Sequence, residues 1–406
     1  MSSSETLLGR AGRLRLEWVA SRYGRSRGAP AQGGPGETEG RPGGGRPMDV
    51  WWLALVLTTV TAPAVSLGAD RDEPEELERF EFLETHMGSA FKLVVYCTGP
   101  APASAAARSA FDRIAQLDAT LSDYRVDSEL SRLGDRAGGP PIPVSADLFE
   151  VLRRSRELSE RSDGAFDATI NPVVKLWRRA RRNRELPSPE QLDQARSRVD
   201  WRRLELDPDA RTARLASEGM RLDVGGIAKG YASDAALKVL REAGITRALV
   251  AGAGDIVVGD PPPGRSGWLV GIAPLDPSGP PERYVLLANQ AVSTSGDAER
   301  FVEIDGVRYS HIVDPRTGLG LTSRSSVTVV APDGTTSDSL ATAASVLGPD
   351  RGLHLIEQIE GAEALFVSIP DGADAPEVAS TPGFDALLAE PEGEPGPVPA
   401  LGGPEA

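Results

Sequence analysis

The chain has 406 residues, and 44 Lys and Arg against 59 Asp and Glu leave a formal net charge of −15, which argues against nucleic acid, whose phosphates are held by basic surfaces. A lone cysteine, Cys97, excludes an internal disulfide framework and a cysteine metal cage, and only three histidines, His86, His311 and His354, exclude a His-rich metal site. Any metal must then be held by oxygen ligands, which favours Mg²⁺ or Ca²⁺ over Zn²⁺.

Residues 1–47 are rich in Arg, Gly and Pro and read as a disordered leader, with Met48 as an alternative start. Residues 48–69 contain the uncharged run VWWLALVLTTVTAPAVSLGA, of marginal length for a membrane span. Pro63 and the small residues after it favour a signal peptide cleaved near Ala64 or Ala69, with a retained membrane anchor as the alternative. The protein is therefore expected to be exported, to the periplasm or the outer face of the cytoplasmic membrane. Residues 70–79 form an acidic linker, 80–370 carry a globular pattern, and 371–406, rich in Pro, Gly, Glu and Ala, read as a solvated tail.

Within the globular part Phe91 to Cys97 reads as a strand, with Cys97 a small buried hydrophobe. Ala107, Phe111, Ile114 and Leu121 form one helical stripe, and Leu148, Val151, Leu152 and Leu158 another that ends before Gly164. Ser188-Pro189-Glu190-Gln191 is a helix start with Pro at the first position and a capping-box Gln. Asp207-Pro208-Asp209 and Asp305-Gly306 each join two short strand runs as hairpins. Between the hairpins, RLDVGGIAKGYASDAALKVL (221–240) reads as a strand that turns through Gly225 and Gly226 into a helix ending at Gly244. Ser326 to Ala331 is a strand, followed by an alanine-rich helix from about Ser337 to Leu347. Hairpins mixed with helices predict an α+β fold rather than a doubly wound parallel sheet.

Four stretches could carry chemistry. In the first, backbone N–H groups at the Gly225–Gly226 helix start form an anion site, and Lys229 adds a full positive charge in the first turn. The chain holds only four lysines, Lys92, Lys175, Lys229 and Lys238, so a Lys here suggests that a compact ammonium is wanted. Read alone, the stretch is equally a tight turn with an exposed Lys. In the second, Asp338 and Thr342 are four apart on one helix face and could hold one Mg²⁺, or could simply serve the helix dipole and the local backbone. The third, Ser162 to Thr169 with Leu176-Trp177 beyond, is a helix C-cap and an anchored loop. The fourth runs through Thr294-Ser295-Gly296-Asp297 to His311, where a near-neutral imidazole stands before the turn Asp314-Pro315-Arg316-Thr317-Gly318.

Taken in order, Met87-Gly88, Tyr124-Arg125, Gly164-Ala165-Phe166-Asp167, Asp223 to Tyr231, Gly254-Asp255, Thr294 to Asp297, His311 to Gly318 and Asp338 with Thr342 form one series. Over about residues 80–370 this series resembles the FAD:protein FMN transferases, the ApbE family, once called thiamine biosynthesis lipoproteins. The resemblance implies an exported, Mg²⁺-dependent α+β enzyme. It would split FAD at its pyrophosphate and link FMN by a phosphoester to a Thr or Ser of a target protein, typically a subunit of a membrane redox complex. By motif, Asp338, Thr342 and the Gly226 carbonyl match the metal ligands. Met87, Tyr124, Ala165, Phe166, Asp167, Asp223, Lys229 and Ile312 match FAD contacts, and His311 matches a general base acting beside Asp338. The same site without a protein acceptor would make an FAD pyrophosphatase, and without turnover an envelope flavin-binding protein.

The chain departs from the family pattern at four places. Gly252-Ala253-Gly254-Asp255 stands for Gly-Gly-Asp, Ser310-His311 for a pair of histidines, and Ala298 for an aromatic. No cysteine stands directly after the apolar run to take a lipid, so a lipid anchor is not expected.

Overall fold

The computed structural model describes residues 76–275, 280–296, 301–370, 373 and 375–390. The leader, the apolar run at 50–69, most of the linker, and Asp297 and Ala298 lie outside the described residues. Among the described residues no helix is long and apolar enough to cross a membrane.

The chain enters through a hairpin, β1 (Glu78–His86) and β2 (Ser89–Cys97), closed by Met87 and Gly88 at φ 51° and 69°. Positive φ at both turn residues matches the twist of the flanking strands. α1 (Pro100–Leu121) starts on a proline, whose missing N–H has no partner to lose in a first turn, and buries the expected stripe through Phe111, Ile114 and Leu121. α2 (Glu129–Asp135) follows, then β3 (Ile142–Pro143), then α3 (Ala146–Arg161), with Ser128 and Ser145 accepting first-turn N–H bonds as N-caps. α4 (Asn171–Asn183) and α5 (Pro189–Arg196) come next, and Ser188 and Gln191 form the capping box that the sequence predicts. β4 (Leu204–Asp207) and β5 (Thr212–Leu215) make the first expected hairpin, and α6 (Ala228–Glu242) follows the glycine turn.

Then come β6 (Ala248–Gly252), β7 (Asp255–Val258), β8 (Trp268–Ile272), β9 (Arg283–Leu287) and β10 (Ala291–Gly296). β11 (Phe301–Ile304) and β12 (Val307–Ser310) form the Asp305-Gly306 hairpin. The chain ends with β13 (Arg324–Ala331), α7 (Gly334–Glu357), β14 (Glu363–Ile369), β15 (Glu377–Ser380) and β16 (Leu388–Ala389).

Eight strands form one sheet in the order β1-β2-β6-β7-β10-β13-β14-β15, antiparallel at every junction. The fold is α+β, as expected. Because side chains alternate across a strand, the sheet serves two cores. Phe91, Leu93, Val250, Val257 and Val329 face α1, α6 and α7, whereas Val94, Leu249, Ile256 and Val330 face the small sheet β16-β9-β8. Burial on both faces explains why β6 reads as an unbroken apolar run. A third, smaller core joins α4 and α5 to the β11–β12 hairpin through Val173, Trp177, Ala195, Val302 and Ile304.

Three expectations are corrected. Residues 221–224 are not a strand. Only Arg221 bridges, to Ile170, because the Asp223 N–H donates to the Ala168 carbonyl and its carboxylate turns back to the Gly225 N–H, which ties the segment down as a loop. The alanine-rich helix begins earlier, at Gly334, and continues to Glu357 past a break at Gly348, whose φ of 77° precedes Pro349. The segment after 370 is not a tail throughout. β15 extends the main sheet beside β14, and Phe384 is fully buried in the second core, because one large aromatic and a strand edge outweigh a polar composition.

Candidate active site

The site is built where α6 and α7 cross. The two helices touch through glycines: a Cβ on Gly230 would lie 2.0 Å from the Gly334 carbonyl oxygen and 2.8 Å from Asp338 Cβ. Asp234, on α6, locks the start of α7. Its carboxylate accepts from the N–H groups of Gly334 and Thr335 at 2.7 and 2.8 Å and from the Thr335 hydroxyl at 2.6 Å. Asp333 caps the same helix in the ordinary way, accepting from the Thr336 N–H. With that start fixed, Thr342 faces Gly226, and Asp338, one turn earlier, faces Gly230. A Cβ on Gly226 would come 2.8 Å from Thr342 Oγ1, so only a glycine lets the backbone approach that hydroxyl.

Asp338 is buried. Its Oδ2 accepts from the Gly230 N–H at 3.0 Å, and its Oδ1 lies 3.9 Å from Lys229 Nζ. Lys229 donates to Asp255 Oδ2 at 2.6 Å, so one ammonium serves two buried carboxylates. Burial, and after it the neighbouring Asp255, push the Asp338 carboxyl up to about 7 against the pull of Lys229 and the Gly230 N–H. The seam thus carries more negative than positive charge. Its groups, a buried carboxylate, a half-buried hydroxyl and backbone at a glycine turn, are the hard oxygen donors that a small divalent cation takes. Ser295, at the end of β10, adds a hydroxyl 3.5 Å from Thr342 Oγ1.

A second cluster forms the rim. Arg178, on α4, donates to Asp123 Oδ2 at 2.6 Å and to Asp223 Oδ2 at 3.1 Å, and its guanidinium lies 4.1 Å from the centre of the Tyr124 ring. Burial, and then the nearby Asp123, raise the Asp223 carboxyl, and Arg178 opposes the rise. Tyr124 itself is 75% exposed, so one face of an aromatic ring is offered to solvent above fixed charge.

The structure gathers the predicted residues into groups. Gly226, Lys229, Asp338 and Thr342 meet at the helix seam. Asp223 and Tyr124 meet through Arg178, which the sequence reading did not single out. Met87 is half-buried at the β1–β2 turn, at the sheet end where the Ala253 N–H donates to the Ala90 carbonyl, just before Asp255. Ala165 and Phe166 are buried. The Asp167 side chain organises its own loop: Oδ1 accepts from Thr169 N–H and O–H, and Oδ2 from the Trp201 N–H. Burial pushes its carboxyl up to about 6. His311 and Ile312 are half-buried just past β12, on the hairpin held to α4 by Tyr309 against Trp177, 5.1 Å between ring centres.

Ala253, the extra residue in Gly-Ala-Gly-Asp, sits at φ 57°, a conformation that a glycine adopts without strain. Asp255 stood in a quoted motif without a role, and Asp234 carried no signal beyond an acidic residue in a helix.

A seam of oxygen donors around one ammonium, on the end of a twice-covered antiparallel sheet, defines an α+β group-transfer enzyme. Residues 87–366 match the sequence model of the ApbE family. The FAD:protein FMN transferase of Treponema pallidum is 35% identical over 79% of this chain and 92% of its own length, and that of Escherichia coli K12 is 30% identical over 67% and 80%. Among solved structures, the apo flavinyl transferase ApbE of Pseudomonas stutzeri superposes with a TM-score of 0.68 at 32% identity, covering 77% of this chain and 97% of that one. The chain belongs to the ApbE family.

Proposed function

We propose that this chain is an FAD:protein FMN transferase that requires Mg²⁺ and links FMN to a Thr or Ser hydroxyl of a target protein, releasing AMP. The observation that carries the reading is the contact of Gly226 with Thr342, one helical turn from Asp338. Family membership supports it, since the relatives are named for that activity. Asp338, Thr342 and the Gly226 carbonyl would hold the cation, which when bound withdraws charge from the phosphates and makes phosphorus accessible to a nucleophile.

The chain's own residues then divide the work. Lys229, oriented by Asp255, stands beside the cation's ligands, where the pyrophosphate's negative charge must be met. The N–H groups of Ile227, Ala228 and Gly230 at the start of α6 are already bonded, to the Val224 carbonyl and to Asp338, so that charge falls to Lys229 and not to the backbone anion site the sequence suggested. Tyr124, set by Arg178, offers an aromatic face for a flat ring. The acceptor hydroxyl attacks the FMN phosphorus in line, the new O–P bond forms as the P–O bond to AMP breaks, and His311 takes the hydroxyl proton. We also place the enzyme outside the cytoplasm, on the strength of the uncharged run at 50–69.

The test is incubation with FAD, Mg²⁺ and candidate acceptor domains from membrane redox complexes. Covalent flavin fluorescence on the acceptor and a mass gain of a single FMN are expected. FMN and AMP released with no labelled protein would replace the reading by an FAD pyrophosphatase, and FAD recovered intact would replace it by a binding protein.

A further inference from the structure

We propose that the polar groove between α4 and α5 seats an acidic segment of the acceptor protein, next to the hydroxyl that receives the flavin; this rests on the transferase reading above. The groove is a cavity of about 400 Å³ lined by Lys175, Gln194, Arg198 and Arg221. A narrower cavity of about 150 Å³ shares Lys175 and Arg221 with it and reaches Asp123. Asp123 is the carboxylate that holds Arg178, and Arg178 touches Asp223 and Tyr124. The groove therefore opens onto the rim of the site.

Its charge points to the class of occupant. The side chains of Lys175 and Arg198 are exposed and have no hydrogen bond or ion pair among the described residues. Lys175 lines the groove from α4, and Arg198 faces it from beyond α5. In a chain of net charge −15, cations on both walls of a concave groove select a negatively charged partner at short range. The chemistry favours the acceptor, because the reaction must bring a protein hydroxyl to this rim.

Register follows from lengths. Lys175 lies roughly 5 Å along the helix from Arg178, one turn, and side chains extend the span. An extended peptide advances about 3.3 Å per residue, so that turn alone spans about two residues and the acidic side chain should fall two or more residues from the modified Thr or Ser.

The test uses the full chain and a library of Thr-centred peptides carrying Asp and Glu, or Asn and Gln, at those flanking positions, with FMN addition read by mass spectrometry. The wild type should prefer the acidic peptides by about fivefold in KM, the worth of two exposed ion pairs. Lys175→Glu with Arg198→Glu should abolish or invert that preference, while FAD-dependent AMP release and the melting temperature stay unchanged. Lys175→Arg with Arg198→Lys should retain it. A preference that survives charge reversal overturns the proposal. So does a rise in the KM for FAD in the reversed variant, which would assign the groove to the nucleotide. Unchanged peptide kinetics with lost binding to phosphatidylglycerol vesicles would assign it to lipid instead. If the wild type releases AMP and labels no peptide or acceptor domain at all, the transferase reading falls, and this proposal falls with it.

Discussion

The α6–α7 seam and the Arg178 rim sit in the same domain and are built on opposite rules. At the seam, glycines let the helices pack so closely that a Cβ on Gly230 would lie 2.8 Å from Asp338 Cβ, and each carboxylate is bonded. At the rim, Tyr124 is 75% and Val126 87% exposed, above an Arg178–carboxylate network that is itself largely covered. The difference follows from what each part must tolerate. A cation and a pyrophosphate need ligands placed to a fraction of an ångström, which only close packing maintains. An acceptor protein has to arrive, react and leave, which only an open surface permits.

Substitutions should separate the two rules. The largest effect is expected from Asp338→Asn, which keeps an acceptor for the Gly230 N–H but removes the charge. Mg²⁺-dependent turnover should fall about a thousandfold or more. The variant should stay folded by circular dichroism, and turnover within tenfold of wild type would remove Asp338 from the metal site. Gly230→Ala tests the packing itself. Its new methyl meets backbone at 2.0 Å, so the helices must separate, at a cost of about 3 kcal/mol in urea unfolding. An unchanged midpoint would mean that the seam is looser than described.

A smaller effect is expected from Asp234, whose carboxyl is pushed up to about 6 chiefly by burial. Between its unfolded value of 3.8 and that folded value, the folded chain binds more protons than the unfolded one. Its contribution is therefore fully present below about pH 4 and is lost as pH rises through about 6, by about 3 kcal/mol. Asp234→Asn should flatten that part of the stability curve, and a curve of unchanged shape would argue against the assignment. At the rim, Arg178→Ala should raise the KM for FAD about tenfold with kcat nearly unchanged, since it removes the cation that holds Asp123, Asp223 and the Tyr124 ring together. A loss confined to kcat would move Arg178 to the chemistry.

Much of the site was legible because its parts are local. Gly225, Gly226 and Lys229 fall within one turn of a helix start, and Asp338 and Thr342 are an i, i+4 pair. The residues that hold those parts in place were not legible. Asp234 bonds a helix that begins 100 positions later, Lys229 finds Asp255 26 positions on, and Arg178 reaches Asp223 across 45. No periodicity or spacing rule spans such gaps. The strand expected at 221–224 failed for a related reason: alternation of apolar residues marks what is buried, not which backbone groups pair, and Ala168 had already taken the Asp223 N–H. The same limit applied after residue 370, where composition suggested solvation but Phe384 found a closed core.

The sequence by itself determined the α+β class, both hairpins, the helix stripes and caps, and the short-range motifs, because those depend on propensities and hydrogen bonds within a few residues. Only the tertiary structure decided that the glycine turn and the alanine-rich helix meet, that Lys229 stands between two buried carboxylates, and that α4 carries its cations along a groove to the rim. Those facts depend on how two helices cross on a sheet buried on both faces, and a crossing is set by packing between residues far apart in the chain.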